Sequence, residues 1–437
     1  MKWHGRRTGA VAAATLVLVV AAVLAWNVIR LSRSTARSAA GPAIPGLPAT
    51  APLGWNSWNA YGCDIDEAKI RHAADALVSS GMRDAGYRYV VVDDCWFSPE
   101  RDPTGQLRAD PARFPGGMRA LADYAHARGL GFGIYSSASP QTCAQMAGSY
   151  PGSTGSRGHE RQDARTFADW GVDFLKYDWC GSSADAAETV DVFAEMRDAL
   201  RATGRPILYS INPNSGSGVA PGDLNRFAGV ATMTRISSDV VPVWHALGGE
   251  AGMIGVRDAV DRAAEGKFSC ATRPGYFCDY DMLAIGAAPM VVDGAEIPAL
   301  TSEEERTQLA MWAMWAAPLM LGNEPDGVSA RTLGLLTNRA LLAIDQDPLV
   351  RPAAPVRGGD GSLWTRPLSD GSTAIALVNR DDAPRLFSTG LTGLGLPLSR
   401  RYEVADVFAG TSRAQSVMLR VLVAPHDTML LRARAVS

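Results

Sequence analysis

Short apolar runs alternate with amphipathic stretches from about residue 52 to residue 347, and this alternation is the feature that most constrains the fold. Each apolar run ends in polar or acidic residues, which is typical of strands covered on both faces of a sheet. The runs predicted as strands are 53–62, 87–96, 130–137, 172–180, 205–212, 231–239, 281–292 and 317–325. The stretches predicted as helices are 65–80, 116–129, 160–170, 185–202 and 302–316. The pattern indicates parallel βαβ units and predicts an α/β fold with a (β/α)8 TIM barrel over 52–347.

A doubly wound open sheet is the alternative for this region, but no Gly-rich phosphate loop follows the first predicted strand. After Pro348 the sequence consists of short runs in which apolar and polar residues alternate, without a helical period. We therefore predict a C-terminal antiparallel β-sandwich domain over 348–437.

The N-terminal 40 residues contain six basic residues and no acid, and residues 9–29 carry no charge. This composition predicts an export signal, either a cleaved signal peptide or a retained N-terminal membrane anchor. Residues 41–51 are predicted to be a Pro/Ala/Gly-rich linker. Because the six basic residues belong to this leader, the rest of the chain is acidic, which argues against a nucleic-acid partner.

The chain contains six cysteines, and an even number in an exported protein indicates disulfides. The sequence has no CxxC spacing, and its six histidines are scattered along the chain. We expect no metal and no cofactor.

Acidic residues stand repeatedly at the ends of the predicted strands, at Asp93, Asp94, Asp178, Asp239 and Asp281. Any one of them could cap a following helix, but in a barrel the carboxyl ends of all strands converge on one rim. Paired carboxylates without a metal cluster indicate glycoside hydrolysis. Aromatic residues on the same edges offer flat faces for sugar rings: Trp55, Trp58, Tyr61, Trp96, Tyr135 and Trp179.

Lys176 is one of only four lysines among 42 basic residues, so its use within an apolar strand is unusual for this chain. It precedes Asp178 by two residues, which places both side chains on the same face of a strand. We expect Lys176 to lower the pKa of Asp178 and to keep that carboxylate ionised as a nucleophile.

Several long motifs occur in a consistent order: LGWNSWNAYGC, YRYVVVDDCW, RADPARFPGGMRALADYAHARGLGFGIY, TFADWGVDFLKYDWC, DYDMLAIG, WAAPLMLGNEP and IDQDPL. Together they resemble glycoside hydrolase family 27, the melibiase-like family of α-galactosidases and α-N-acetylgalactosaminidases. The resemblance extends over about residues 52–348, and the β-rich tail is similar to the C-terminal domain of that family.

The resemblance implies a retaining double displacement, with Asp178 as the nucleophile and Asp239 as the general acid and base. It implies that Arg235 contacts the hydroxyl beside the anomeric carbon, and that Asp93 and Asp94 hold the galactose 4- and 6-hydroxyls. The further pocket residues that it implies are Trp55, Tyr135, Lys176, Asp281 and Met282. In a retaining enzyme the two catalytic carboxyl groups lie about 5 Å apart.

The resemblance also implies two disulfides, Cys143–Cys180 beside the nucleophile and Cys63–Cys95 between the first two strand-end loops. Because the number of cysteines is even, the two that remain, Cys270 and Cys278, are expected to form a third pair.

The sequence departs from the family at two places. After the fifth strand it has Ile211-Asn212-Pro213 where many members have Cys-Glu-Trp or Cys-Ser-Trp, at the wall that faces the sugar 2-substituent. Asn212 or Asn214 could bind a 2-hydroxyl there, or could equally satisfy loop backbone. Before Asp281, TRPGYFCDYDML replaces a Gly-Gly-Trp-Asn-Asp-Pro-Asp-Met type of segment, so an unusual leaving-group specificity is expected.

The leading hypothesis is an exported retaining exo-α-galactosidase that acts on terminal α-linked galactose of oligosaccharides or glycans. The alternatives within the family are an α-N-acetylgalactosaminidase, a β-L-arabinopyranosidase or an isomaltodextranase-like enzyme. An alternative of another class is a non-catalytic sugar-binding barrel, against which the presence of both Asp178 and Asp239 argues.

Overall fold

The computed structural model describes residues 47–181, 186–213, 227–246, 253–268, 270–292, 295–324, 326–415 and 417–436. The predicted leader 1–40, most of the predicted linker and Asn214 lie outside the described residues. Within the described part, no helix combines the length and the apolar character that crossing a bilayer requires.

Eight parallel strands form the first domain. They are β1 (Leu53–Asn56), β2 (Tyr89–Val91), β3 (Gly131–Ser137), β4 (Phe174–Asp178), β5 (Leu208–Asn212), β6 (Met233–Arg235), β7 (Phe277–Asp279) and β8 (Leu319–Leu321). Their order in the sheet is β8-β1-β2-β3-β4-β5-β6-β7. After β7, Leu283 forms a parallel bridge with Leu321 of β8. This bridge joins the two ends of the sheet and closes the barrel. The predicted (β/α)8 barrel is therefore confirmed.

The seventh strand is a correction to the sequence prediction, which placed it at 281–292. The strand is Phe277–Asp279, and of the predicted segment only Leu283 bridges a barrel strand. Gly286 adopts a φ of 72°, a left-handed conformation that interrupts an extended chain. Beyond it, Met290–Val292 pairs with Ala295–Ile297 as an antiparallel hairpin outside the barrel.

Helices surround the strands. They are Trp58–Tyr61, Glu67–Ser79, Met82–Ala85, Gly117–His126, Cys143–Met146, Glu160–Trp170, Ala186–Ala202, Val256–Ala264, Ser302–Met314, Ala330–Leu336 and Arg339–Asp345. Each predicted helix has a counterpart. The helices without a predicted counterpart are Trp58–Tyr61, Met82–Ala85, Cys143–Met146, Val256–Ala264, Ala330–Leu336 and Arg339–Asp345. The predicted first strand, 53–62, contains β1 followed by the helical turn Trp58–Tyr61.

The barrel interior is layered because successive side chains of a strand point to opposite faces. One inward layer is apolar and contains Val91, Phe174, Leu208, Met233, Phe277 and Met320. Two residues further along the strands, the inward positions become polar. Lys176 lies opposite Ser210 in the β4–β5 register, and Arg235 lies opposite Asp279 in the β6–β7 register. Another two residues along β4 and β5, Asp178 lies opposite Asn212. The carboxyl ends of the strands thus carry a charged layer on an apolar floor.

The C-terminal domain is all-β, as predicted. Its strands are β9 (Ala354–Pro355), β10 (Leu363–Pro367), β11 (Thr373–Val378), β12 (Arg385–Gly390), β13 (Arg401–Asp406), β14 (Ser412–Gln415), β15 (Met418–Val423) and β16 (Thr428–Val436). They form a six-stranded sheet, β9-β10-β11-β16-β13-β14, and a two-stranded sheet, β12-β15, both antiparallel. Arg366 of β10 is fully buried and donates hydrogen bonds to the carbonyl oxygens of Ala313 and Asp345, which joins the sandwich to the barrel helices.

Candidate active site

A cavity of about 940 Å³ opens at the carboxyl ends of the barrel strands. In the described part of the chain, it brings together ten of the eleven catalytic or pocket residues predicted from the sequence: Asp93, Asp94, Tyr135, Lys176, Asp178, Asn212, Arg235, Asp239, Asp281 and Met282. The strands that supply them are spread over more than half of the barrel. The sequence analysis predicted that these residues share one rim of the barrel, and in the structure they line one continuous cavity.

Trp55, the eleventh predicted residue, does not line this cavity. It is fully buried, its indole N–H donates to the carbonyl oxygen of Asn323 at 2.7 Å, and its ring packs edge-on against Tyr61. On β1 the inward side chain is the next one, Asn56, which reaches Asp93. Trp58, on the helical turn after β1, lines the cavity instead.

Asp93 is the centre of a buried hydrogen-bonded group on the cavity floor. Its Oδ2 accepts hydrogen bonds from Asn56 Nδ2 at 2.6 Å and from Lys176 Nζ at 2.7 Å. Its backbone N–H donates to Ser57 Oγ at 2.9 Å. The same lysine lies 3.9 Å from Asp178 Oδ2 and 5.3 Å from the centre of the Tyr135 ring. Lys176 therefore pairs most closely with Asp93 and only at longer range with Asp178.

Burial raises the pKa of Asp178 to about 7. Lys176 is the largest opposing influence, Arg235 acts in the same direction, and the charges of Asp93 and Asp239 add to the increase. The predicted direction of the Lys176 influence on this pKa is therefore confirmed, but the net pKa lies above its ordinary value. The lysine does favour the ionised form, but removal of the carboxylate from water outweighs it.

Asp94 is held by backbone groups. Its Oδ1 accepts the N–H of Cys95 at 2.7 Å, and its Oδ2 accepts the N–H of Ala144 at 2.9 Å. Burial raises the pKa of Asp94 to about 6, although these two hydrogen bonds act in the opposite direction. Asp93 and Asp94 are both at least 99% removed from solvent, so their orientation is fixed by the fold.

Arg235 joins two carboxylates at the opposite side of the cavity. Its Nη2 lies 2.5 Å from Asp239 Oδ1, and its Nη1 lies 2.7 Å from Asp281 Oδ1. The side chain of Asp239 is 72% exposed, whereas those of Arg235 and Asp281 are 6% and 4% exposed. Asp239 is therefore a rim residue anchored by a buried guanidinium.

Asp281 also holds the loop that carries Asp239. Its Oδ2 accepts the backbone N–H of Val240 at 2.6 Å. Burial raises the pKa of Asp281 to about 7, with Arg235 opposing the increase and the charges of Asp239 and Asp279 adding to it. The carboxylate of Asp281 thus positions both the arginine and the backbone next to Asp239.

Two residues that the sequence reasoning missed fix Asp281 itself, which adopts a φ of 80°, a strained value for a residue with a side chain. Asp279 Oδ1 accepts the N–H of Asp281 at 2.9 Å, and the indole N–H of Trp312 donates to the carbonyl oxygen of Asp281 at 2.9 Å. Asp279 could have been found from its spacing of two residues from Asp281, which is typical of side chains on the same face of a strand. It was missed because the predicted seventh strand began at residue 281.

Three disulfides join Cys63 to Cys95, Cys143 to Cys180 and Cys270 to Cys278. The first links the segments after β1 and β2, and the second links the segments after β3 and β4 beside Asp178. In the described part, the one grouping of His, Cys, Asp or Glu close enough to hold a metal is Cys143, Asp178 and Cys180. Its two sulfurs are bonded to each other and cannot act as thiolate ligands.

Asn212 lies directly beside Asp178 in the parallel register of β4 and β5, and it lines the cavity. This position is suited to a group next to the reacting carbon, since strands in a sheet are only about 4.8 Å apart.

Two carboxylates in contrasting environments thus face one cavity: Asp178 is buried at the floor, and Asp239 is exposed at the rim. Such a pair can perform nucleophilic and acid–base chemistry on a single substrate. The polar groups around them are hydrogen-bonded to each other and to backbone, which keeps the arrangement rigid.

Comparison with known proteins follows the same division of the chain. Residues 50–347 match the protein family described as Alpha galactosidase A, and residues 358–433 match the Alpha galactosidase C-terminal beta sandwich domain. The chain is 39% identical over 339 residues to Alpha-galactosidase A of Cellvibrio japonicus, covering 77% of either protein. It is 35% identical over 380 residues to the Alpha-N-acetylgalactosaminidase of Gallus gallus, covering 84% of this chain and 88% of that protein.

Among solved structures, the chain is similar to alpha-galactosidase I from Mortierella vinacea. The TM-score is 0.78 at 32% sequence identity, and the match covers 89% of this chain and 98% of that one. Both domains are therefore included in the similarity.

Proposed function

Because the chain belongs to glycoside hydrolase family 27, the melibiase-like family, and is a glycoside hydrolase, we propose that it is a retaining exo-α-galactosidase that releases terminal α-linked D-galactose. The substrate is an α-galactosyl oligosaccharide or glycan. The proposal assigns a chemical role to each group in the cavity.

Asp178 supplies the nucleophile in this proposal. Its Oδ1 is buried and has no hydrogen-bond partner among the described residues, so a lone pair is free to attack the anomeric carbon. Its Oδ2 lies 3.9 Å from Lys176 Nζ, whose charge favours the ionised form. The buried Oδ1 of Asp178, without a hydrogen-bond partner among the described residues, is the single observation that carries the proposal.

Asp239 supplies the general acid and base. In the first step Asp178 forms a bond to the anomeric carbon, the glycosidic C–O bond breaks, and Asp239 gives its proton to the departing oxygen. In the second step Asp239 takes a proton from water, which attacks the same carbon and releases Asp178. Exposure of Asp239 at the rim suits this role, because both the leaving group and the water pass through the open side of the cavity.

We assign the selection of galactose to the part of the cavity floor that lies away from Asp239. Asp93 and Asp94 hold the 4- and 6-hydroxyls, with Tyr135 and Lys176 beside them. Fixed, buried carboxylates of this kind accept hydrogen bonds from sugar hydroxyls with a defined geometry, so they can distinguish an axial from an equatorial 4-hydroxyl. Arg235 and Asn212 lie on the side assigned to the 2-substituent.

A panel of nitrophenyl glycosides tests the substrate. The expected result is the highest kcat/KM for α-galactoside, compared with α-N-acetylgalactosaminide, β-L-arabinopyranoside and α-glucoside. Preference for the N-acetylated sugar would instead assign the function of the Gallus gallus relative, and turnover of none with sugar binding retained would leave only a binding protein.

The stereochemistry is tested separately. Proton NMR of the first product, recorded before mutarotation, should show α-galactose. Initial release of the β-anomer would contradict the double displacement.

We also propose that the protein is exported, either secreted or anchored at the outer face of the membrane, since its leader is basic and apolar. Disulfides are stable in such oxidising compartments. Mass spectrometry of the N-terminus of the exported protein should distinguish a cleaved leader from a retained anchor. Retention of the protein in the cytoplasm would contradict the proposal.

A further inference from the structure

An apolar wall lies beside Asp239 and is not used by the reaction described above. The loop residues after β6 contribute Val241, Pro242 and Met253 to the cavity, and those after β7 contribute Ala287, Ala288 and Pro289. We call these six residues the apolar wall. Polar residues of the outer cavity, Asn59, Asn323 and Glu324, lie on the segments after β1 and β8, and the amide of Asn323 borders the wall beside Gly286.

Backbone pairing places Met253 next to Asp239. The two short segments Asp239–Val240 and Met253–Ile254 pair in parallel, with Asp239 opposite Met253. Residues opposite each other on paired strands are about 4.8 Å apart and present their side chains on the same face. In both segments the first side chain is exposed and the second is buried, so Asp239 and Met253 share the solvent side.

Met253 is 42% exposed in a position that the fold fixes. The Val241 N–H donates to the Ile254 carbonyl oxygen at 2.9 Å, and the Val256 N–H donates to the Val243 carbonyl oxygen at 3.0 Å, so the two segments are held together beyond the short pair. An exposed thioether on a rigid backbone offers a flexible apolar contact to whatever occupies the adjoining space.

The occupant of that space follows from the position of Asp239. A general acid must lie within hydrogen-bond distance of the oxygen that it protonates, so the leaving group departs along the surface next to Asp239. We infer that the apolar wall is a leaving-group subsite, and that it selects α-galactosides of apolar alcohols with an aliphatic chain over those whose leaving group is a second sugar.

This inference rests on the proposed function, and it names the leaving group that the same active site prefers. A saturated chain buries methylene groups on Met253, Val241 and Pro242 without leaving hydroxyls unpaired. A sugar in the same place would turn hydroxyls towards side chains that offer no hydrogen bonds, which costs free energy for each group that loses its water.

Methyl, butyl and octyl α-D-galactopyranosides, together with melibiose, test the inference below the micelle concentration of the octyl compound. The three alcohols have similar intrinsic leaving ability, so differences report binding along the wall. Half-burial of each methylene predicts roughly a two-fold rise in kcat/KM per carbon over the first few carbons. Butyl galactoside should therefore exceed both methyl galactoside and melibiose.

Met253→Gln keeps the length of the side chain and makes it polar. It should lower the octyl-to-methyl ratio of kcat/KM by roughly three-fold, because apolar contact is lost in the complex with the longer chain. Met418→Gln is the matched control, because Met418 is 48% exposed in the sandwich and should leave the ratio unchanged.

A flat series in the wild-type protein, or a higher kcat/KM for melibiose than for butyl galactoside, would overturn the subsite while the α-galactosidase proposal stands. Equal ratios in the Met253→Gln protein and the wild-type protein would overturn the assignment to this wall. Failure to hydrolyse methyl and nitrophenyl α-galactosides as well would overturn the proposed function itself.

Discussion

Asp178 in the barrel and Asp370 in the sandwich are the same residue type in opposite environments. The side chain of Asp178 is 8% exposed, one of its oxygens has no partner among the described residues, and burial raises its pKa to about 7. Asp370 is 35% exposed and accepts hydrogen bonds from Ser372, Arg432 and Arg434. Those hydrogen bonds, with Ser372 first, hold the pKa of Asp370 well below its usual range.

The difference shows what each domain does with a carboxylate. In the sandwich the charge is satisfied by the protein itself, which favours folding but leaves no capacity for a ligand. In the barrel the charge is removed from water and left incompletely paired, which costs stability and leaves an oxygen for a substrate. Paired surface acids and desolvated cavity acids can therefore be separated by experiments that remove one carboxylate at a time.

The largest effect is expected from Asp178→Asn. The amide cannot act as the nucleophile, so kcat/KM for nitrophenyl α-galactoside should fall by about 10⁴-fold or more. Asp370→Asn is the matched control and should retain activity within about two-fold, because surface substitutions distant from the site have small effects. Activity of Asp178→Asn close to that of the wild-type protein would contradict the assignment of the nucleophile.

The sequence predicted most of this site because the barrel repeats one rule. In β3 and β4 a continuous apolar run ends in polar residues, and the inward face is recognisable from the period-two spacing of Lys176 and Asp178. Strand β7, Phe277–Asp279, was misplaced because a longer apolar segment follows it directly, and the end of that segment, Met290–Val292, pairs as a hairpin outside the barrel.

The remaining errors depend on tertiary structure. Trp55 and Trp58 are both aromatic and close in sequence, and only the end of β1 at Asn56 determines which of them reaches the cavity. The influence of Lys176 on Asp178 has the predicted direction, but its size relative to burial depends on how much water the assembled barrel excludes. Neither the end of strand β1 nor the extent of water exclusion around Asp178 can be predicted from a local pattern of residues.

A smaller effect is expected from Lys176→Met, which removes the cation between the two cavity acids. Loss of a charge-assisted hydrogen bond predicts a fall in kcat/KM of roughly 100-fold. In the free wild-type enzyme, activity should rise with pH through the pKa of Asp178, about 7, as the nucleophile ionises. Without Lys176 that pKa is higher still, so the acid limb of kcat/KM should move to higher pH.

Lys176→Arg, which keeps the charge, is the control and should leave the acid limb closer to that of the wild-type enzyme. Circular dichroism should establish that both variants are folded. An acid limb that moves to lower pH in Lys176→Met would contradict the inference that Lys176 favours the ionised form of Asp178.

The stability of Asp178→Asn is expected to differ from that of the wild-type protein in a pH-dependent way. The folded pKa of about 7 lies above the unfolded value of about 3.8, so the folded state binds the additional proton between these values and stability falls as pH rises through that window. The asparagine variant escapes this loss. Its free energy of unfolding should exceed that of the wild-type protein by about 4 kcal/mol more at about pH 8 than at about pH 4.

Urea unfolding at the two pH values measures this difference. An advantage of the variant that is independent of pH, or larger in acid, would show that the carboxylate is not destabilised by ionisation in the folded state.

The smallest effect is expected from Asp370→Asn, and its sign is opposite. The folded pKa of Asp370 is lowered, so the carboxylate contributes stability above its unfolded pKa and loses it as pH falls towards the folded value. Because the group is one-third exposed and its pairs with Arg432 and Arg434 are screened by solvent, substitution should cost less than about 1 kcal/mol at neutral pH. Added salt should reduce that cost, whereas the advantage of Asp178→Asn, which arises from burial, should persist in salt. Equal responses of the two variants to salt and pH would remove the distinction between the acids of the cavity and those of the sandwich.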